Sequence, residues 1–421
     1  MGYKTNKLSA GILCTAIFLM IPAYYKIFNL NLSFLFSFFM VAVACIAHGL
    51  RIYKVRFECK LYTLFLLFMA VHTTIYTGLK YGVSMFTTTI GLLYIVVIST
   101  RNKESFIAFI NAMVNVSVAL SIVAIVEEVM RYNWIKDFAP NDFSGSFMEV
   151  MRAGIFRVQT IFAQPIVFGW FMLIMSGIIL YKVSISRGKI RQRAWVAYVL
   201  CCIAEVFAFS RSPLLGFVIL QIVLLSRMKV ISLKKSFLIK SGVIVTILGI
   251  IVLTSSSAKG AFSSFFESFF MIFKDSGGTE GTYAGMGDRL SLFTWVMNSM
   301  NGNFLLGNNG TAFSYKVYDW FTKTSIENEY LNYFYNYGFI GLSLCIVSYI
   351  SNIVCFYKKR NANEMIESSL GFNYMTFVTL SVLYVFVFFS ALNAALSIQI
   401  VLIGLATSMN LNSTTYLDIN N

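Results

Sequence analysis

The chain has 421 residues, of which 58% are hydrophobic and 12% charged, and a formal net charge of +15. A soluble domain carries roughly 25% charged residues, so a water-soluble globular fold is excluded; the mean hydropathy of +0.74 points to repeated membrane spans. Nucleic-acid binding is excluded as the meaning of the charge, because the basic residues are scattered over short segments between apolar runs instead of forming one patch.

In chain order, Lys4 and Lys7 precede a first apolar run that no small-residue cleavage site follows, so it reads as a retained span and not a removed signal. Twelve spans are expected, at 8–26, 31–50, 60–78, 82–100, 105–126, 162–182, 194–209, 212–226, 238–255, 331–353, 372–391 and 393–410. Backbone groups in lipid must be satisfied within the segment, which makes the spans helices. The expected fold is therefore all-α: a single polytopic transmembrane bundle over residues 1–421, with about twelve helices. If the N-terminus is cytoplasmic, 21 of the 33 lysines and arginines fall in cytoplasmic segments and 12 in the longer outer ones, which supports both termini being cytoplasmic. Two outer loops are then large, 127–161 and 256–330, the second between the ninth and tenth helices. The two halves share no sequence repeat, which weighs against a transporter built from repeats.

The second loop carries Gly277-Gly278 and then Arg289–Met300, where Leu290, Phe293, Val296, Met297 and Met300 recur at helical spacing. This predicts an amphipathic helix lying on the membrane or packed on the bundle, with Asp288 capping its start. Gly307-Asn308-Asn309-Gly310 reads as a turn, and Glu327–Tyr337 leads into the tenth span. The seven cysteines lie in or beside apolar segments, so no disulfide framework is expected in the loop. His48 and His72 fall inside predicted spans and neither begins a metal-binding HExxH pattern, so no metal and no cofactor is expected.

Arginine on the outer face runs against the positive-inside rule, and Arg131, Arg152, Arg157, Arg211 and Arg289 all lie there. The guanidinium fork matches phosphate oxygens, and a site handling a lipid diphosphate needs several such groups to hold the leaving group. Solvation or headgroup contact is the plainer reading of Arg131 and Arg152. Arg211 differs, because Phe209-Ser210-Arg211-Ser212-Pro213 is a minimal hairpin that holds the charge close to the bundle. Glu205 lies inside the seventh span, as a functional acid, a buried ion-pair partner or a neutral acid. Glu127 and Glu128 end the fifth span as ordinary interfacial acids. Glu327, just before the tenth span, is either a helix N-terminal acid or a carboxylate placed to take a proton from a sugar hydroxyl.

Four patches resemble the superfamily of O-antigen ligases and O-antigen (Wzy-type) polymerases. They are Arg157-Val158-Gln159-Thr160-Ile161-Phe162-Ala163-Gln164-Pro165; Phe209-Ser210-Arg211-Ser212; Gly287-Asp288-Arg289 through Leu305-Leu306-Gly307-Asn308-Asn309-Gly310; and Glu327-Asn328-Glu329-Tyr330-Leu331 with Gly338-Phe339-Ile340-Gly341-Leu342. Ligases of the superfamily carry histidine where this chain has Glu327, which favours the polymerase. The polymerases' arginine, followed eleven residues later by glycine, is imperfect here: Arg157 precedes Gly169 by twelve residues and Arg289 precedes Gly302 by thirteen. The resemblance implies a multi-pass enzyme of the cytoplasmic (inner) membrane. Its partners would be polyprenyl-diphosphate-linked oligosaccharides and the lipid bilayer, alongside a chain-length regulator and a flippase. Arg289, Arg211 and Glu327 would be catalytic, and Arg157, Asn328, Arg152 and Asp288 would bind substrate. The alternatives are a ligase that moves finished chains onto lipid A core, and a polysaccharide flippase or other transporter.

Overall fold

The computed structural model describes residues 26–27, 30–31, 38–39, 42, 60–138, 151–152, 155–162, 164–230, 286–318, 321–323, 325–361, 366, 368–390 and 395–415. The described chain is mostly helical. Its helices are α1 (Lys60–Thr77), α2 (Leu79–Phe86), α3 (Leu92–Ser99), α4 (Lys103–Met130), α5 (Pro165–Ile185), α6 (Gly188–Ala208), α7 (Arg211–Arg227), α8 (Met286–Ser299), α9 (Glu329–Lys359), α10 (Phe372–Phe386) and α11 (Leu396–Thr415). Three short antiparallel hairpins accompany them: β1 (Lys26–Ile27) with β2 (Leu30–Asn31), β3 (Met151–Arg152) with β4 (Ile155–Phe156), and β5 (Tyr315–Tyr318) with β6 (Phe321–Lys323). The spans expected at 8–26, 31–50 and 238–255, and Gly277-Gly278, lie outside the described residues apart from isolated positions.

Among the described residues, five segments are long and apolar enough to cross a membrane: Leu79–Ser99, Lys103–Met130, Pro165–Ile185, Glu329–Lys359 and Phe372–Phe389. α5 is the axis of the bundle. In its apolar window 89% of the residues are buried, against 33% in that of α9, which leaves much of its surface to lipid. Pro165 opens α5, where its missing N–H removes no helical bond. Trp170, Phe168, Phe171 and Tyr181 of α5 are fully buried, and Tyr181 meets Phe372 edge to face at 4.9 Å. Within such a bundle, polar side chains act as interhelical glue. Gln221 of α7 donates to Ser176 Oγ of α5 at 2.7 Å and accepts from Tyr198 OH of α6 at 2.9 Å.

Leu79–Ser99 is one rod with a π-helical turn, Thr87–Gly91, at its centre. Thr87, Thr88 and Thr89 donate their hydroxyls to carbonyls one turn back, to Val83, Ser84 and Met85. Before this turn the rod packs against α1; beyond it, against α11.

α9 bends at Gly338, whose φ of 64° and ψ of −166° lie in a region essentially confined to glycine. The turn 303–308 fills the bend: Phe339 N donates to Phe304 O at 2.8 Å and Asn308 N to Tyr335 O at 2.7 Å. A Cβ on Gly338 would stand 2.2 Å from Leu305 O, and one on Gly307 2.5 Å from Gly338 N, so both positions exclude a side chain.

The chain alternates direction, so the helix ends gather at two faces. One holds the C-terminal ends of α1, α4, α6 and α10 and the N-terminal ends of α5, α7 and α9. The other holds Lys60, Arg101, Lys103, Arg187, Lys189, Arg191, Arg193, Arg227, Lys358, Lys359 and Arg360.

Candidate functional site

The first face is tied together by hydrogen bonds between consecutive helix ends. α6 stops at Ala208 because Phe209 turns left-handed (φ 44°), Ser210 is extended, and Arg211 opens α7. Pro213 sits in the first turn of α7, where proline is tolerated. The two-residue link leaves Arg211 no slack: it is 9% exposed, and Ser212 Oγ donates to Phe386 O of α10 at 2.8 Å.

Arg157 reaches the same link from the other side. Its Nη2 donates to Ser210 Oγ at 2.8 Å, and the residue is 7% exposed. The segment that carries it is clamped at both edges. Val158 N donates to Phe207 O in the last turn of α6 at 3.1 Å. Glu127, near the end of α4 and fully buried, accepts from Gln159 N at 3.0 Å through one carboxylate oxygen and from Thr160 N at 2.8 Å through the other. Asn133 Nδ2 donates to Thr160 O at 3.1 Å and holds Thr160 at its positive φ of 52°. Arg157 therefore bonds the serine that immediately precedes the buried Arg211. Arg211 also stands at the positive end of the α7 dipole, where a cation is electrostatically disfavoured and an anion is favoured.

Below this floor, Glu205 of α6 is fully buried, and neither carboxylate oxygen has a hydrogen-bond partner among the described residues. A Cβ on Gly169 would lie 3.4 Å from Glu205 Oε1 and 2.8 Å from Pro213 Cβ, so the glycine lets α5, α6 and α7 converge here. The ion pair considered for Glu205 is absent among the described residues.

The start of α9 borders the same end. Tyr330 OH donates to Tyr384 O of α10 at 2.6 Å, two residues before the carbonyl that receives Ser212. Asn328 is the helix cap: its Oδ1 accepts from Leu331 N at 3.0 Å, and the residue is buried. Glu327 is exposed on the outer side of the cap, while Glu329 turns inward and is buried.

The amphipathic helix is present as α8, Met286–Ser299, and begins three residues before Arg289. Asp288 thus lies inside the first turn instead of capping it, because the helix starts at Met286. Leu292, Val296 and Met300 pack with Phe313, Ile326, Phe334 and Tyr335, which lays α8 over the first turns of α9. The side chains of Arg289 and Asp288, and that of Arg152 on β3, lie outside the described ones. Arg131 is exposed and pairs with Glu128 at 3.0 Å. Glu127 is thus not the ordinary interfacial acid the sequence suggests but a buried clamp on two backbone N–H groups.

His72, a residue of α1, does more than fill a span. One of its ring nitrogens lies 2.7 Å from Leu306 O and the other 3.3 Å from Asn309 Nδ2, and its ring stacks on Tyr76 at 4.3 Å. A neutral ring protonated at Nε2 satisfies both contacts, and so pins the 307–310 turn to α1. Among the described residues no three His, Cys, Asp or Glu side chains converge to hold a metal.

The structure thus brings Arg157, Ser210 and Arg211 together, with Asn328 and Glu327 at the same end of the bundle. Comparison with protein-family models and with curated proteins finds no match for this chain.

Proposed function

We propose that the chain is a polysaccharide polymerase of the cytoplasmic membrane, joining polyprenyl-diphosphate-linked oligosaccharide repeat units of an O-antigen, capsule or exopolysaccharide at the outer face. The observation that carries the reading is two buried arginines at one link, Arg157 bonded to Ser210 and Arg211 next to it in the chain, at the end of the bundle opposite most of the basic residues. The positive-inside rule assigns the basic end to the cytoplasm and the arginine pair to the outer face.

In the reaction, a hydroxyl at the non-reducing end of a new lipid-linked unit attacks the anomeric carbon of the growing chain. A C–O bond forms there, the C–O bond to the lipid diphosphate breaks, and the diphosphate leaves on its carrier with the electron pair. Arg157 and Arg211, with Arg289 on α8, hold the diphosphate and offset the charge it gains, a preorganised form of stabilisation. Arg152 contributes as a further binding cation from β3. The hydroxyl proton passes to Glu327, an exposed carboxylate just before α9. Asn328 spends its oxygen on the helix cap, and its amide nitrogen orients the acceptor sugar. Asp288 hydrogen-bonds sugar hydroxyls from α8. No cofactor is required, because the leaving diphosphate already activates the sugar.

Deletion of the gene tests the reading. The expected result is surface glycan reduced to single repeat units, with the polymer ladder gone. Loss of all surface glycan with lipid-linked polymer accumulating would make the protein a ligase. Unpolymerised units trapped on the inner leaflet would make it a flippase.

A further inference from the structure

A cavity of about 740 Å³ opens between α4 and α6, at the end of the bundle opposite the arginine pair. Three cations line its mouth: Lys182 in the last turn of α5, and Lys189 and Arg193 in the first two turns of α6. Among the described residues that line it, none is acidic. Further in stand Asn111 and Asn115 of α4, one turn apart and both exposed, on a helix with an apolar window of mean hydropathy 2.2. The innermost wall is aliphatic, with Val118 and Leu200.

The depth of each group follows from a common reference. Ser117 and Cys201 both contact Met172, at 3.9 and 3.5 Å, so α4 and α6, which run in the same direction, are level at those residues. At about 1.5 Å per residue, Arg193 lies about 12 Å, Asn111 about 9 Å and Asn115 about 3 Å from that level towards the basic end. The order from the surface inward is cation, amide, hydrocarbon.

We propose that this cavity binds an anionic glycerophospholipid from the leaflet at the basic end. Such a lipid presents its groups in the same order: a phosphate, then ester carbonyls, then acyl chains. The phosphate meets Lys182, Lys189 and Arg193. Asn111 and Asn115 donate to the ester carbonyls, which relieves the penalty of two amides on a lipid-facing surface. One acyl chain follows the groove past Val118 and Leu200. The site is independent of the polymerase reading, since none of its residues belongs to the arginine site.

The test uses the full chain in phosphatidylcholine nanodiscs doped with phosphatidylglycerol, with bound lipid counted by native mass spectrometry. The wild type is expected to retain phosphatidylglycerol over phosphatidylcholine. The triple variant K182Q/K189Q/R193Q should lower that preference about tenfold or more, from the electrostatic worth of three cations at a membrane surface. The double variant N111L/N115L leaves charge unchanged, suits a membrane helix, and should lower retention several-fold, in line with two lost hydrogen bonds. The equal-charge control K358Q/K359Q/R360Q, at the same end of the bundle, should keep the wild-type preference. Equal loss in the control, no loss in the asparagine variant, or equal retention of phosphatidylcholine by the wild type would each overturn the proposal. So would displacement of phosphatidylglycerol by equimolar polyprenyl phosphate, which would make the carrier lipid the occupant.

Discussion

The two ends of the bundle use arginine in opposite ways. At one end Arg187 and Arg191 are exposed at the start of α6, free to reach water and lipid headgroups. At the other, Arg157 and Arg211 are buried around Ser210, one on a segment clamped by Glu127 and the other fixed at a helix start. The first arrangement needs only charge; the second fixes the orientation of the fork. Burying a guanidinium loses hydration that must be recovered through ordered partners, so the difference separates a cation that sets topology from one that positions a ligand. The number of charges at each end carries none of this information.

The sharpest way to break the contrast is to exchange arginine at both ends. Arg211→Ala is expected to cut polymer formation by about 100-fold or more, the scale seen when one preorganised donor is removed from a site of developing charge. Arg157→Ala should do the same, and Lys at either position should restore part of the activity, since it keeps the charge but loses the fork. Arg191→Ala should leave the rate within about twofold, as expected of an exposed cation. The measurement is incorporation of lipid-linked repeat units into polymer in membranes matched for protein level. Comparable losses at Arg191 and Arg211 would erase the distinction between the ends.

The clamp is next in size. Glu127→Ala strands the N–H groups of Gln159 and Thr160, at a cost of about 2–5 kcal/mol for two buried donors. It should lower both the melting temperature and polymer formation. Glu127→Gln keeps one acceptor oxygen and should fall between the two. An unchanged melting temperature for Glu127→Ala would show that the segment carrying Arg157 is held by something else.

Gly338→Ala should destabilise by about 1–3 kcal/mol from backbone strain alone, with the contact to Leu305 O adding to it. Thermal unfolding in detergent checks this, and the neighbouring Phe339→Ala, at an exposed position, is the matched control. The smallest effect is at the basic end, where Lys358→Gln should change stability by no more than about 0.5 kcal/mol.

The helices were readable because hydrocarbon leaves little choice: an apolar run of sufficient length must be helical, and α4, α5, α9 and α10 lie where hydropathy puts them. Arg211 was readable because its hairpin is too short to let the charge escape. Asn328 carried a sequence signal that was read as chemistry and also serves as a helix cap, the ordinary meaning of Asn before a helix. Glu127 could not be read in this way. Its partners are backbone N–H groups 32 and 33 residues further on, and main-chain donors leave no mark in a sequence. The bend at Gly338 was hidden for a related reason: the turn that fills it begins 35 residues earlier and bonds through its main chain, not its side chains.

The π turn at Thr87–Gly91 gives the rod Leu79–Ser99 a property its length does not suggest. An extra residue wound into a helix advances everything beyond it by about 100° of azimuth. The apolar positions of Leu92–Ser99 are thus rephased relative to those of Leu79–Phe86, in a rod whose first part packs on α1 and whose second part packs on α11. The three threonines, by feeding their hydroxyls back into the widened turn, set where this phase step occurs. Deleting one residue from Thr87–Thr89 would remove the phase step and return the rod to a single phase from Leu79 to Ser99.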